Sequence, residues 1–208
     1  MQTKPYKLLE FFLLFIAVPI SMALPFLIWI KLAIGLVGFV YVIFILLKID
    51  NTKFSISKNI NWNVFWKQTL IKLIGIIIIT TLFLWFTNSE DLFNVLFNKP
   101  KLWIFILFIY SFFSVYPQEL IYRTFFFRRY SIIFKNQKLI IFINAIVFSL
   151  AHIFFRNTLV MILTFLGGLL FAITFIKTRS TLLVTIEHAI YGSWLFTVGM
   201  GGMLGFPS

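Results

Sequence analysis

The chain of 208 residues contains no cysteine, only six acidic side chains and only two histidines. The absence of cysteine excludes disulfide bonds, thiol catalysis and thiolate-bound metals, although it does not identify the redox compartment. Because acids are few, the 18 lysines and arginines leave a formal net charge of +12. A nucleic-acid-binding protein would cluster this charge on a soluble face, whereas here the basic residues flank apolar runs. We therefore expect no nucleic-acid partner and attribute the charge to membrane topology.

The composition is that of a membrane protein. Hydrophobic residues make up 61% of the chain and charged residues 12%, and the mean hydropathy is +1.02. A soluble domain of this size could not cover so much apolar surface, so the lipid bilayer is the expected solvent and partner. The apolar runs are continuous rather than alternating, which is typical of transmembrane helices. We predict one integral membrane domain over residues 1–208, an all-α polytopic protein with about seven transmembrane helices.

Seven apolar spans can be drawn, at about 9–30, 32–47, 69–86, 102–127, 138–155, 158–176 and 181–199. The basic and then apolar N-terminus is expected to be a retained helix, because its apolar stretch is too long for a signal peptide. The segment 51–68 mixes Lys and Asn with aromatic residues, a composition that predicts an interfacial position at the lipid headgroups.

The distribution of basic residues predicts the orientation. With the N-terminus inside, four basic residues lie outside and Lys72 lies just within the third span. The inner set has thirteen members: Lys4, Lys7, Lys48, Lys53, Lys58, Lys67, Arg123, Arg128, Arg129, Lys135, Lys138, Lys177 and Arg179. The outer set is Lys31, Lys99, Lys101 and Arg156. The positive-inside rule therefore places the N-terminus in the cytoplasm. If the first two spans, which turn near Lys31, were a single bent or re-entrant element, the N-terminus would lie outside.

Ionisable residues within spans are costly, so each of them is a hypothesis about function. Without those that lie near span ends and have no acidic partner, the set contains Glu119, Arg123, His152, Glu187 and His188. Glu119 and Arg123 are four residues apart and share a helix face. Glu119 lies twelve residues before the predicted turn at 131–137 and His152 lies fifteen after it, so the two can meet at one depth. The spacing therefore allows a carboxylate and two imidazoles to converge.

Two chemistries fit such a group. A carboxylate with an imidazole can remove a proton from water and return it to a leaving group. His152, His188 and Glu119 would also be an adequate zinc set with a fourth position for water, and a metal-free mechanism is equally compatible. The HExxH metal signature and the GxSxG serine elbow are absent. Each residue also has a structural interpretation, since Glu119–Arg123 could be a buried ion pair and each histidine an interhelical hydrogen bonder.

Three short motifs carry a family resemblance. The segments QELIYR (Gln118–Arg123), FSLAH (Phe148–His152) and EHAIYG (Glu187–Gly192) resemble the EExxxR, FxxxH and HxxxN/D motifs of the CPBP, or Abi, family of intramembrane proteases. This family includes type II CAAX prenyl endopeptidases and bacteriocin-processing or self-immunity proteins. The resemblance covers about residues 102–200 and implies catalytic roles for Glu119, Arg123, His152 and His188. It implies that His152 shares the attacking water and that His188 lies on the oxyanion side.

The sequence departs from the family pattern at two chemically important positions. Gln118 replaces the glutamate that the resemblance would make the activator of water, and a neutral amide cannot act as a base. Gly192 replaces the Asn or Asp of the third motif, with Ser193 following. In a rearranged site, Glu119 or Glu187 would supply the carboxylate, and Gln118 would orient the water or the substrate carbonyl. Ser193 or the backbone would then replace the lost amide of the third motif. Alternatively, Glu187 would form an ion pair with a base such as Arg123.

The resemblance implies an intramembrane peptidase that hydrolyses a membrane-embedded or lipidated peptide or protein from the cytoplasmic side. It also implies an integral protein of the bacterial cytoplasmic membrane. A second hypothesis is a catalytically inactive family member that acts as a membrane scaffold or bacteriocin immunity factor. A small proton-coupled transporter is disfavoured because the chain has no inverted repeat.

Overall fold

A computed structural model of the protein describes residues 1–50 and 60–205. Within these ranges the chain contains no strand and forms eight helices, α1 to α8. Their bounds are Lys4–Ala23 (α1), Ile28–Ile49 (α2), Trp62–Thr87 (α3), Asn94–Asn98 (α4), Pro100–Tyr130 (α5), Gln137–Leu150 (α6), Thr158–Thr178 (α7) and Thr181–Val198 (α8). Short 3₁₀ turns lie at Ser89–Asp91, Ile153–Phe155 and Met200–Leu204.

Six helical segments of the described ranges are long and apolar enough to cross a membrane. They are α1, α2, α3, α5, α7 and the segment Gln137–Phe155, which contains α6. The seventh predicted span coincides with α8, which is not among the six. Glu187 and His188 reduce its apolar character, and both are buried within the protein. The prediction of an all-α polytopic membrane protein is confirmed, with six rather than seven apolar spans.

The N-terminal helices differ from their predicted boundaries. The chain breaks at residues 24–27 rather than near Lys31, because Leu24 precedes Pro25 and takes an extended conformation. The Tyr6 and Tyr41 hydroxyl oxygens lie 2.9 Å apart, so α1 and α2 form an antiparallel hairpin of two full-length helices. This hairpin replaces the single bent element considered above.

The start of α3 also corrects the sequence analysis. The predicted interfacial segment 51–68 lies outside the described residues over 51–59. Its last part, from Trp62, belongs to α3, which therefore begins earlier than the predicted span. The Asn61 side chain caps this helix by accepting a hydrogen bond from the Val64 N–H at 3.1 Å.

Helix α5 is irregular where it carries the first motif. Residues Tyr110–Val115 and Leu120–Phe125 are π-helical, on either side of the α-helical turn Tyr116–Glu119. Pro117 has no N–H to continue the regular ladder, which accounts for a wider turn on its N-terminal side. Such π segments occur frequently at functional sites.

Helix α8 occupies the centre of the C-terminal half. Trp194 donates a hydrogen bond to Thr80 of α3 at 2.9 Å, and Trp103 of α5 donates to Thr197 at 3.0 Å. Helix α7 packs between α6 and α8. Large apolar side chains on the outer helices, such as Trp29 and Phe86, are exposed, as expected for surfaces that face lipid.

A buried polar cluster links the N-terminal hairpin of α1 and α2 to the C-terminal end of α5. Arg129 is fully buried and donates from Nε to Glu10 Oε2 at 2.7 Å. Tyr130 donates to the same oxygen at 3.0 Å, and the Tyr41 hydroxyl bonds Glu10 Oε1. Asp50 Oδ1 lies 3.4 Å from Arg129. One carboxylate of α1 therefore joins α2 and α5.

We predict that Arg129→Ala destabilises the protein by about 3–5 kcal/mol, because it leaves the Glu10 carboxylate buried without its cation. Titration with SDS in mixed micelles would measure the free energy of unfolding. Arg128→Ala is the matched control, since Arg128 is exposed and, among the described residues, donates only to the Asp50 carbonyl. A loss below about 1 kcal/mol, the range of surface pairs, would contradict this account of the cluster.

Candidate active site

Glu119, Arg123 and His188 form one buried group. The Glu119 carboxylate is fully buried and accepts a hydrogen bond from His188 Nδ1 at 2.7 Å. Its other oxygen, Oε2, lies 3.3 Å from Arg123 Nε. The structure thus brings the first-motif acid and base of α5 to the third-motif histidine of α8.

Arg123 is held by more than its carboxylate. Its Nη1 donates to Asn144 Oδ1 at 2.9 Å, and the Asn144 amide donates to the Tyr122 carbonyl at 2.6 Å. Asn144 is a fully buried residue of α6 that the sequence analysis missed. The sequence did contain a signal for it, since Asn144 lies in the middle of the apolar run FINAIVF and a polar group within a span needs a partner.

The Phe148 ring is the common neighbour of the three motifs. Its centre lies 4.6 Å from Arg123 Cζ, 5.0 Å from the centre of the His152 ring and 5.7 Å from that of His188. The His188 ring also stacks on Phe171 of α7 at 4.3 Å. Both histidines therefore border one apolar ring.

His152 lies two residues beyond the end of α6, at the turn into Ile153–Phe155. Its Nδ1 donates to the Phe148 carbonyl at 2.8 Å, since a carbonyl can only accept. In the neutral ring this proton position leaves the lone pair on Nε2.

The Gln118 side chain bonds within α5. Its Nε2 donates to Ser114 Oγ at 2.8 Å. Its carbonyl oxygen, Oε1, is buried and has no hydrogen-bond partner among the described residues. This acceptor, which is free in the described part of the chain, can accept a hydrogen bond from water or from a substrate N–H.

The Glu187 carboxylate is bonded to residues outside the Glu119 group. It forms an ion pair with Lys72 of α3 and accepts a hydrogen bond from the Tyr191 hydroxyl at 2.9 Å. The basic partner is thus Lys72 rather than Arg123, the example considered from sequence. Lys72 and Thr174, which are hydrogen-bonded to each other, line a cavity of about 310 Å³ on this side of α8.

The zinc set considered from sequence is not assembled. Among residues 1–50 and 60–205, no group of three or more His, Cys, Asp or Glu side chains is placed to hold a metal ion. His188 Nδ1 and Glu119 Oε1 are bonded to each other, and His152 Nδ1 is bonded to a carbonyl. His152, His188 and Glu119 therefore do not form a preorganised metal centre.

Tyr110 is a further neighbour that the sequence did not single out. Its ring lies edge-on to His188, with centres 6.0 Å apart, and its hydroxyl packs against Gly192. No sequence signal pointed to the contact of Tyr110 with Gly192. Tyrosines are common in membrane proteins, and the two residues are 82 positions apart, so they form no local pattern.

We predict that Lys72→Met lowers stability by about 1–3 kcal/mol, because Glu187 loses its cation inside the protein. The loss should be smaller than for a fully buried pair, since the Lys72 side chain is 26% exposed. The free energy of unfolding in mixed micelles tests this. Combining Lys72→Met with Glu187→Leu should recover most of the loss.

The control for this pair is Lys177→Met, since Lys177 is exposed and lines the same cavity. An equal loss in this control, or no recovery in the double variant, would show that the ion pair is not the cause.

Comparison with known families gives a match to the part of the chain that contains the Glu119 group. Residues 100–194 match the family described as Rce1-like, type II CAAX prenyl endopeptidase Rce1-like. The matched region runs from the start of α5 into α8 and includes Glu119, Arg123, His152 and His188. Comparison with curated proteins and with solved structures gave no match. The match covers residues 100–194, somewhat less than half of the chain, and supports a relationship with the CPBP family of CAAX-protease-like membrane proteins.

Proposed function

We propose that the protein is an intramembrane endopeptidase that hydrolyses an amide bond of a membrane-embedded or lipidated peptide. The family is one of endopeptidases. The observation that carries the proposal for this chain is the hydrogen bond between His188 Nδ1 and the buried Glu119 carboxylate. A carboxylate that orients an imidazole is a recurrent arrangement in hydrolases.

The proton positions support distinct roles for the two histidines. Because Nδ1 of His188 donates to Glu119, the neutral His188 ring has its lone pair on Nε2. This atom can take a proton from water, and Glu119 stabilises the resulting imidazolium. The hydrogen bond favours this role over the oxyanion side that the resemblance implied. His152 likewise has a lone pair on Nε2 and would orient the same water.

The proposed reaction is general base and then general acid catalysis. The water oxygen bonds to the carbonyl carbon, the carbonyl electron pair moves to oxygen, and one water proton passes to His188 Nε2. The oxyanion then collapses, the C–N bond breaks, and His188 returns that proton to the amine nitrogen. The other water hydrogen remains on the new carboxylic acid, so water and amide give one acid and one amine.

Three other residues would position this group. Arg123 lies beside Glu119, with its Nε 3.3 Å from the carboxylate, and would hold it in place. Gln118 would accept a hydrogen bond from water or substrate through Oε1, in place of acting as a base. Glu187, which pairs with Lys72 on the other side of α8, would have a structural role.

We further propose that the N-terminus faces the cytoplasm. Met1, Asp50 and Arg129 meet at one end of the helices, while Arg156 meets Ala23 at the other. The end with Arg129 also carries most of the basic residues, as the positive-inside rule requires. Substrate would then enter from the cytoplasmic leaflet.

The orientation can be measured cleanly because the chain has no cysteine of its own. We expect a membrane-impermeant maleimide to label Asn98→Cys in intact cells, and Gln137→Cys only after permeabilisation. Both positions are exposed. The opposite labelling pattern would place the N-terminus outside.

For the catalytic proposal, we expect wild-type protein in proteoliposomes to cleave a prenylated CAAX peptide. Glu119→Gln and His188→Ala should each lower kcat by about 10²–10⁴-fold, because the oriented base is lost. His152→Ala should lower kcat in the same direction. Release of the C-terminal fragment, followed by mass spectrometry, measures the rate, and thermal unfolding in detergent controls for folding.

The Gln118→Glu variant distinguishes an active site in which glutamine has a role from a site that has lost its catalytic function. We expect this variant to lose activity, because it adds a second carboxylate next to Glu119 in a buried position. A large gain would mean that the glutamine had inactivated an ancestral site. The catalytically inactive scaffold would be the better hypothesis under two conditions. Wild-type protein would cleave neither this peptide nor membrane proteins of its host, and the Glu119→Gln variant would keep the cellular phenotype.

A further inference from the structure

The Tyr110 hydroxyl occupies the space where a side chain at position 192 would begin. A Cβ atom built on Gly192 would lie 1.8 Å from the Tyr110 hydroxyl oxygen and 2.3 Å from its ring carbon Cζ. Contacts below 3.0 Å are not tolerated by real Cβ atoms. The absence of a side chain at Gly192 is therefore what admits Tyr110 to the surface of α8.

This contact lies one helical turn from His188. The Tyr110 ring is nearly perpendicular to the His188 ring, at 82°, with centres 6.0 Å apart, and it packs on Phe196 at 4.9 Å. Tyr110 starts the first π-helical segment of α5, the same helix that carries Glu119. The hydroxyl has no hydrogen-bond partner within residues 1–50 and 60–205, and the residue is only half-buried.

Apart from Arg123, whose buried Nε and Nη2 have no hydrogen-bond partner among the described residues, the site supplies acceptors rather than donors. Both histidines use Nδ1–H internally, so their neutral rings present lone pairs at Nε2. The Gln118 amide donates to Ser114, and Gly192 has no side chain. An amide hydrolase needs a donor aimed at the oxygen on which negative charge develops. Tyrosine O–H is one of the groups that can fill this role.

We propose that Tyr110 is a catalytic residue whose hydroxyl donates a hydrogen bond to the scissile carbonyl oxygen and to the oxyanion formed from it. This inference rests on the proposed peptidase function. Tyr110 and Gly192 act as a pair, in which Gly192 provides the space and Tyr110 the donor. The pair takes the place of the Asn or Asp side chain expected four residues after His188.

The principal test is Tyr110→Phe, which keeps the ring and its contacts with His188 and Phe196 while it removes the O–H. We expect kcat for the prenylated CAAX peptide to fall by about 10²–10³-fold, the effect of losing one oxyanion donor. KM should change little, because the bond strengthens in the transition state. Thermal unfolding in detergent should match that of the wild-type protein.

The matched control is Tyr116→Phe, the same substitution on the same helix at an exposed position. It should leave kcat unchanged. If Tyr110→Phe keeps wild-type kcat, raises KM alone, or loses no more than Tyr116→Phe, the donor role is overturned while the peptidase function stands. If wild-type protein cleaves nothing, the peptidase proposal fails and this inference falls with it.

A second arm tests the pairing of the two positions. Gly192→Asn alone should abolish cleavage, since its Cβ would collide with the Tyr110 ring. Tyr110→Ala should be nearly inactive because it lacks the donor. The double variant Tyr110→Ala with Gly192→Asn should be measurably more active than either single variant, because the amide then has both room and a donor function. A double variant no better than either single change would contradict the pairing.

Discussion

The buried carboxylate of Glu119 is the constraint from which the arrangement of the site follows. An ionised group inside a membrane protein is costly unless other groups neutralise it. Arg123 supplies the charge from the same helix, and His188 supplies a hydrogen bond from α8. Arg123 in turn needs Asn144 of α6. Satisfying one carboxylate therefore fixes how α5, α6 and α8 face one another, and the same contacts set the proton position on His188.

The other buried acids extend this principle to the remaining helices. Lipid-exposed helices have little hydrophobic drive to associate, so polar contacts contribute to the choice of partner. Glu10 joins the N-terminal hairpin to α5 through Arg129, and Glu187 joins α8 to α3 through Lys72. Of the six acids in the chain, only Glu90 and Asp91 lie in a connection outside such clusters. Glu10, Glu119 and Glu187 thus each join helices, and Asp50 adds a second carboxylate to the junction at Arg129.

The parts of this structure that could be predicted from sequence are the local ones. Continuous apolar runs identified the long helices, and a spacing of four residues identified the Glu119–Arg123 pair. Pro25 indicated where the N-terminal hairpin turns, but the turn was predicted near the basic residue Lys31 instead. Partners far apart in sequence, such as Lys72 with Glu187, depend on how helices pack, and no periodicity encodes this. The position of the proton on each histidine ring could not be predicted either. It depends on the Phe148 carbonyl for His152 and on the Glu119 carboxylate for His188, and only the fold brings the latter two together.

A departure from a family motif has to be judged from the contacts in the folded chain rather than from the residue type at one position. Gly192 lacks a donor side chain, and by position alone this argues for a decayed site. In the folded chain, however, the same absence admits the hydroxyl of Tyr110 from another helix to that space. Glu119 also joins α5 to α8, but joining helices does not by itself require an imidazole oriented by a carboxylate, since replacing such a group with apolar residues often stabilises a protein. The buried Glu119–His188 pair therefore agrees with the proposed peptidase site, in which Tyr110 would take the place of the missing side chain.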